Sequence, residues 1–172
     1  MEIRTARPDE FQALADLGER LWRSTYTGLL PQEDLEVHLA AAFGPRQQAS
    51  ELADPEARTL VLKVAGTLRG YTLLQAAPAP PFQGEPRPAR PLQVKRFYVD
   101  PDLHGSGAAQ QLMAAAAATA AALGHDGLWL QVWTRNPRAI RFYGKVGFRV
   151  GGPASYQVGR RIECDHLMVR TF

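Results

Sequence analysis

At 172 residues with 45% hydrophobic side chains, the chain is long enough to bury a core without metals or disulfides. Its single cysteine, Cys164, excludes an internal disulfide and a four-thiolate zinc site. The formal charge of +3 is mild, and no Lys/Arg run concentrates it, which argues against a nucleic-acid partner.

No apolar run approaches the roughly 20 residues of a membrane span. The opening MEIRTARPDEF is too polar and charged for a signal peptide. The expectations are one domain over residues 1–172, no membrane partner and a cytoplasmic location.

In chain order, Glu2 to Ala6 reads as a short strand, and Arg7-Pro8-Asp9 opens a helix. Proline suits a first helical turn, and Phe11, Leu14, Leu17 and Leu21 recur at helical spacing. Trp22 to Leu30 reads as a loop, with Gly28 and Pro31 as breakers. Pro31-Gln32-Glu33-Asp34 begins a second helix with acid in its first turn and Leu35, Leu39 and Phe43 on one face. Gln47 to Leu52 reads as a further short helix.

Thr59–Val64 and Leu68–Ala77 read as an antiparallel hairpin turning at Ala65-Gly66. The proline-rich stretch 78–91 forbids helix and central strand and reads as extended chain. It is expected to be an exposed connector, with a rim beside the active site or a dimer contact as the sharper alternatives.

Residues 92–148 organise the rest. Leu92 to Val99 is a strand that stops at Asp100-Pro101, and His104-Gly105-Ser106-Gly107-Ala108-Ala109 then leads into an alanine-dominated helix ending at Gly124. Alanine is the best helix former, so the tract is helix rather than low complexity. Glycines between a strand and a helix let backbone N–H groups close on an anion at the positive helix end, which suits a pyrophosphate. Leu128 to Thr134 is the next strand. Asn136-Pro137-Arg138-Ala139 starts a helix that carries Phe142-Tyr143 and ends at Gly147-Phe148.

The loop at 104–109, followed at this distance by Asn136 and Tyr143, resembles the acyl-CoA core of the GCN5-related N-acetyltransferases. Gly107 and Ala109 fill the family's pyrophosphate-loop pattern, while His104 stands where Arg or Gln is usual. The chain looks closest to the PaiA-type spermidine/spermine N-acetyltransferases. The pieces are Tyr26-x-Gly28-x-Leu30, Arg96-Phe97-Tyr98-Val99, the paired tryptophans of Leu128 to Trp133, Tyr156-x-x-Gly159 and Asp165-x-x-Met168.

The resemblance implies an α/β fold: a mixed, mostly antiparallel sheet, flanking helices and a central strand pair splayed around Val99 and Val132. It implies acetyl-CoA as co-substrate, no metal and a small-molecule amine acceptor, with a homodimer as a further expectation. It also implies that Phe97, Tyr98 and Val99 hold the pantetheine arm. His104, Gly105, Ser106, Gly107, Ala108 and Ala109 would hold the pyrophosphate. Asn136 would touch the cofactor, and Tyr143 would stand near its sulfur as the catalytic acid. Trp22, Tyr26 and His38 would wall the acceptor site. Alternative readings are acetylation of a protein N-terminus or lysine, and a non-catalytic acyl-CoA-binding module.

Two departures bear on the acceptor. Gln93 and Lys95 stand where this group tends to carry acid, and Arg160-Arg161 add positive charge near the end. Both weaken the expectation of a polyamine. A general base is not singled out among His38, Glu163, Asp165 and His166.

Overall fold

A strand alternates its side chains between two faces, and that alternation sorts this chain into layers. In the computed structural model, which describes residues 1–172, one seven-stranded sheet runs in the order β1 (Glu2–Thr5), β2 (Ala57–Val64), β3 (Thr67–Gln75), β4 (Pro91–Val99), β5 (Gly127–Trp133), β7 (Arg161–Thr171), β6 (Arg149–Val158). Every neighbouring pair is antiparallel except β4 and β5. Leu60 and Leu62 of β2 join Leu128 and Leu130 of β5 in one core with α4 (Ala108–Ala122) and α5 (Pro137–Lys145). Val61 points the other way, onto Leu14, Leu17 and Leu21 of α1 (Phe11–Tyr26).

The helix α1 extends through Tyr26, further than its sequence suggests. Trp22 is buried one position beyond Leu21 and continues the apolar face, and the chain leaves the helix only at Thr27 and Gly28, where φ is +80°. Two helices follow, α2 (Gln32–Phe43) and α3 (Pro45–Ala53). The small-residue helix α4 buries Ala108, Ala116 and Ala120 completely, so it lies close on the sheet.

The proline-rich stretch is largely exposed, as a connector should be, but it is fastened to the sheet as a strap by its two buried residues, Phe82 and Pro88. Phe82 sits with Trp129, Leu167 and Val169 on the sheet face away from α4. The Asp126 carboxylate accepts from the Ala89 and Arg90 amides at 2.6 and 2.8 Å. Arg149 donates to the carbonyls of Gln83, Gly84 and Pro86 at 2.6, 3.1 and 2.6 Å. None of residues 78–90 lines the large cavity of this molecule, so the strap does not form its rim.

Pairing of β4 with β5 covers only Pro91↔Gly127, Leu92↔Leu128 and Gln93↔Trp129. On its other side, β4 pairs Leu74 with Val94 and Leu73 with Arg96, leaving Lys95 as an extra, bulged residue. A bulge bends its strand, and this one lies just where contact with β5 stops. The expected splay is therefore present, with a physical cause.

Next to the bulge, Arg96 and Glu51 of α3 form an ion pair, both residues 7% exposed. Arg96 also donates to the Ala42 carbonyl and lies over the Phe43 ring, 4.9 Å from its centroid. Lys95 adds a second cation, 3.3 Å from Glu51. Removing one partner of a buried pair strands the other charge. Glu51→Gln is expected to destabilise the fold by about 3 kcal/mol in chemical denaturation, near the low end for such losses.

Candidate active site

Where β4 and β5 part, a cavity of about 640 Å³ opens between them. Val94–Val99 and Leu130–Trp133 pair with β3 and β7 on their outer sides, but their edges toward the cleft have no strand partner, and buried backbone groups need partners. An extended arm carrying amide bonds would supply them. Phe97, Tyr98 and Val99 line this cavity, as do His104, Gly105, Ala109, Asn136 and Tyr143. Ser106, Gly107 and Ala108 complete the turn behind them, and the Ser106 hydroxyl donates to the Leu103 carbonyl at 2.7 Å.

Gly105 and Gly107 hold φ at +81° and +87°, the left-handed region that favours glycine. A Cβ at Gly107 would meet no protein atom within 4 Å, so conformation, not crowding by the chain, calls for glycine there. Gly107 immediately precedes α4, and the turn presents the N–H end of that helix to the cavity.

His104 does not act alone. Its Nδ1 lies 3.1 Å from Arg138 Nη1, and both residues line the cavity. Burial, then the neighbouring Arg138 charge, lowers the His104 pKa below its ordinary value. The imidazole is thus neutral at pH 7, and Arg138, in the first turn of α5, brings the cation that position 104 lacks. The pair spans 34 residues, so no local sequence pattern announces Arg138 as a site residue.

Asn136 caps α5, its Oδ1 accepting from the Ala139 amide at 3.1 Å, which leaves its NH₂ group as a donor. Tyr143 is 9% exposed, set among Phe97, Phe142 and Phe148 at ring distances of 6.2, 5.4 and 5.7 Å. Burial, then the Tyr26 hydroxyl, pushes its phenol above the usual range, so it is a neutral donor at physiological pH.

The far end of the cavity is aromatic. Trp22 and Tyr26 stand 4.2 Å apart, and Tyr26 lies 5.6 Å from Trp133. His38 does not line the cavity. It stacks on Trp22 at 4.3 Å from within the α1–α2 packing, and burial, aided by Arg96, holds it down at about 4. His166 shares its β7 face with Met168 of the α4 core, while Asp165 and Glu163 share the opposite face with Leu167. Glu163 accepts from Trp133 Nε1 at 3.1 Å and pairs with Arg161 at 3.2 Å. Asp165 is 7% exposed and has no such partner. Burial, then the Glu163 charge, pushes it up to about 6.

The basic residues expected to repel a polycation are each paired. Lys95 meets Glu51, Arg160 meets Glu33 at 3.3 Å and Arg161 meets Glu163, and neither arginine lines the cavity. No group of three or more His, Cys, Asp or Glu side chains is arranged to hold a metal ion. No helix is long and apolar enough to cross a membrane.

A splayed parallel pair, a glycine turn into a helix and a buried phenol at the fork define an acyl-CoA-dependent acetyltransferase. Comparison with known proteins agrees: residues 16–148 match the acetyltransferase (GNAT) family model, and the chain belongs to that family. An N-acetyltransferase of Mycobacterium tuberculosis, named as uncharacterized, is 36% identical over 138 residues, 80% of this chain and 82% of that protein. The PaiA N-acetyltransferase of Thermoplasma acidophilum, crystallised with coenzyme A, is similar in fold. It has a TM-score of 0.79 at 19% identity over 99% of this chain and 98% of that one. A ribosomal-protein-alanine N-acetyltransferase of Brucella melitensis aligns over 100% of both chains with a TM-score of 0.71 at 20% identity. This protein is accordingly an N-acetyltransferase that uses acetyl-CoA.

The glycine turn gives the first test of the site. Valine at 107 would force a β-branched residue to positive φ, tilting backbone N–H groups away from the cavity. Gly107→Val is expected to raise the acetyl-CoA dissociation constant at least ~10-fold by calorimetry, since the anion loses aligned backbone donors. Folding should be little affected, because the turn is exposed and its glycine packs against nothing.

Proposed function

We propose that this enzyme acetylates the primary amine of a small molecule, working in the cytoplasm. The observation that supports a small acceptor is how β6 closes the aromatic end: Tyr156 and Val158 line the cavity, and Val158 is buried against Trp22 and Leu30. The β6–β7 turn is tied to α2, with the Arg160 amide donating to Asp34 Oδ1 at 2.9 Å and Arg160 pairing with Glu33. A Cβ at Gly159 would come within 2.4 Å of Asp34, so the two elements lie close together. A polypeptide acceptor needs an open groove, and this closure narrows the approach.

Acetyl-CoA supplies an acetyl group activated as a thioester. On this reading, the free edges of β4 and β5 hold its extended arm, and the Gly105–Gly107 turn with Arg138 holds its phosphates. The amide group of Asn136 donates into the same cleft. Tyr143, neutral and walled by aromatic rings, donates a hydrogen bond, then its proton, to the departing sulfur. Trp22 and Tyr26 line the side from which the amine arrives.

If the Tyr143 hydroxyl assists sulfur departure, Tyr143→Phe should lower kcat about 100-fold, the low end for positioned acid catalysis. Acetyl-CoA affinity should hold, because the ring and its packing are retained. Thiol release measured across alkylamines, amino acids and N-terminal peptides tests the acceptor class. Turnover confined to peptides would reject the small-molecule reading.

A further inference from the structure

We propose that Asp165 docks the ammonium group of the acceptor at the aromatic end of the cavity and then takes its proton, selecting a primary amine carried on an apolar body. The inference rests on the acetyl-transfer reading and names the acceptor chemistry of that same site. It starts from the alternation along β7. Glu163, Asp165, Leu167 and Val169 share one face; the proline-rich strap covers Leu167 and Val169, and the strap ends before Asp165. Register places Asp165 opposite Trp133 of β5, so the carboxylate opens into the cavity beside that indole.

A buried carboxylate with no cation of its own is unfavourable unless something else neutralises it. Every other acid near this end has a partner. Glu163 has Arg161 and the Trp133 indole; Glu51 has Arg96 and Lys95; Glu33 has Arg160. Asp165 is left for a cation from outside. Its surroundings suit one on an apolar stem: Tyr26 and Trp133 line the cavity as aromatic walls, and Arg135 lies over the Trp133 ring 5.1 Å from its centroid, showing that this indole takes a cation on its face. An amine that also carries a carboxylate would bring a third negative charge to Glu163 and Asp165 and is disfavoured.

The groups facing Asp165 set its protonation. Glu163 lies on its own strand, Tyr26 comes from α1 and Tyr156 from β6, and both phenols are pushed upward by burial. Arg96 of β4 lines the same cavity but is tied to Glu51. His38 of α2 is neutral behind Trp22. Burial thus raises the carboxylate to about 6, while it lowers the pKa of an ammonium docked beside it. Burial favours the neutral form of both groups and so assists the proton transfer, against the mutual attraction that docks them as an ion pair.

In the transfer itself, the ammonium gives one proton to the Asp165 carboxylate and becomes a neutral amine. Its nitrogen lone pair forms the C–N bond to the acetyl carbon, and the C–S bond breaks with its electron pair on sulfur. Sulfur takes the Tyr143 proton, and the new amide nitrogen gives up its second proton to restore Tyr143. Asp165 then releases its proton to solvent.

The test uses phenethylamine and phenylalanine, which share a body and differ by a carboxylate. Calorimetry on the enzyme with bound CoA should show saturable phenethylamine binding, weakened at least ~10-fold by Asp165→Asn as a charged hydrogen-bonding partner is lost. Wild-type kcat/KM for phenethylamine should rise through pH about 6 as Asp165 ionises, then level off. Asp165→Asn should lower it about 100-fold at pH 8. The variant's profile should instead climb with the free amine toward that amine's own pKa of about 10.

A raised carboxylate pKa means the folded state holds its proton more tightly than the unfolded chain. Stability from this group is present below the unfolded value of about 4 and is lost as pH rises through about 6. Asp165→Asn should therefore be at least as stable as the wild type at pH 8. A less stable variant would show a structural carboxylate and overturn the proposal. Equal phenethylamine affinity in both proteins, no binding to either, or a preference for phenylalanine would overturn it as well. Asp165-dependent binding without thiol release leaves the docking assignment standing and removes the acetyl-transfer reading. Thiol release that is equal in both proteins does the reverse.

Discussion

The site depends on two strands that begin as neighbours and then part. Three residue pairs join β4 to β5, and beyond Gln93 and Trp129 the strands diverge. The cause is covalent and local: Lys95 is one residue too many for its partner strand, and the bulge turns β4 aside. Two strand edges inside a protein carry donors and acceptors that must find partners. A ligand with an extended, amide-bearing arm would resolve the deficit, which is the basis for proposing that the cofactor lies there.

The bulge is held from outside the sheet. Glu51 of α3 takes both Arg96 and Lys95, so the carboxylate that neutralises this stretch of β4 comes from a helix 45 residues away from Arg96. The same arrangement disposes of the basic residues that would otherwise repel an amine. Lysine and arginine counts alone therefore mislead about the field inside the cavity. The field is set by the charge left over after pairing, and among the acids lining the acceptor end Asp165 has no cation of its own. Natural proteins give up stability at functional positions, and Asp165 fits that rule, being buried, ionisable and without a cation.

Legibility in sequence depends on how local each feature is. The order strand, glycine turn, helix, strand, helix over residues 92–148 can be read because each signal lies within a few residues of the next. The length of α1 cannot, because Gly28 draws the expected boundary back to Trp22, whereas burial of the indole on the Leu21 face carries the helix to Tyr26. The strap reads as an extended, exposed connector because repeated proline forbids regular structure, yet Phe82 and the carbonyls gripped by Arg149 fasten it to the sheet. The bulge at Lys95, the Arg138–His104 contact and the α2–hairpin tie are pairings across tens of residues, which no periodicity encodes.

The two halves of the site therefore differ in kind. The half proposed to hold the cofactor is built from one contiguous stretch, which lies within the residues that the family model matches. The acceptor half is assembled from Trp22 and Tyr26 at one end of the chain and Tyr156, Glu163 and Asp165 at the other. Those last three lie beyond the matched region, on a hairpin whose tip is tied to α2 through Asp34 and Glu33. Substitutions on the hairpin can change which amine is accepted while β4, α4 and α5 keep the cofactor where it was. The same separation explains why kinship with other acetyltransferases carries the reaction to this chain and leaves its acceptor to be argued from Asp165 and the rings around it.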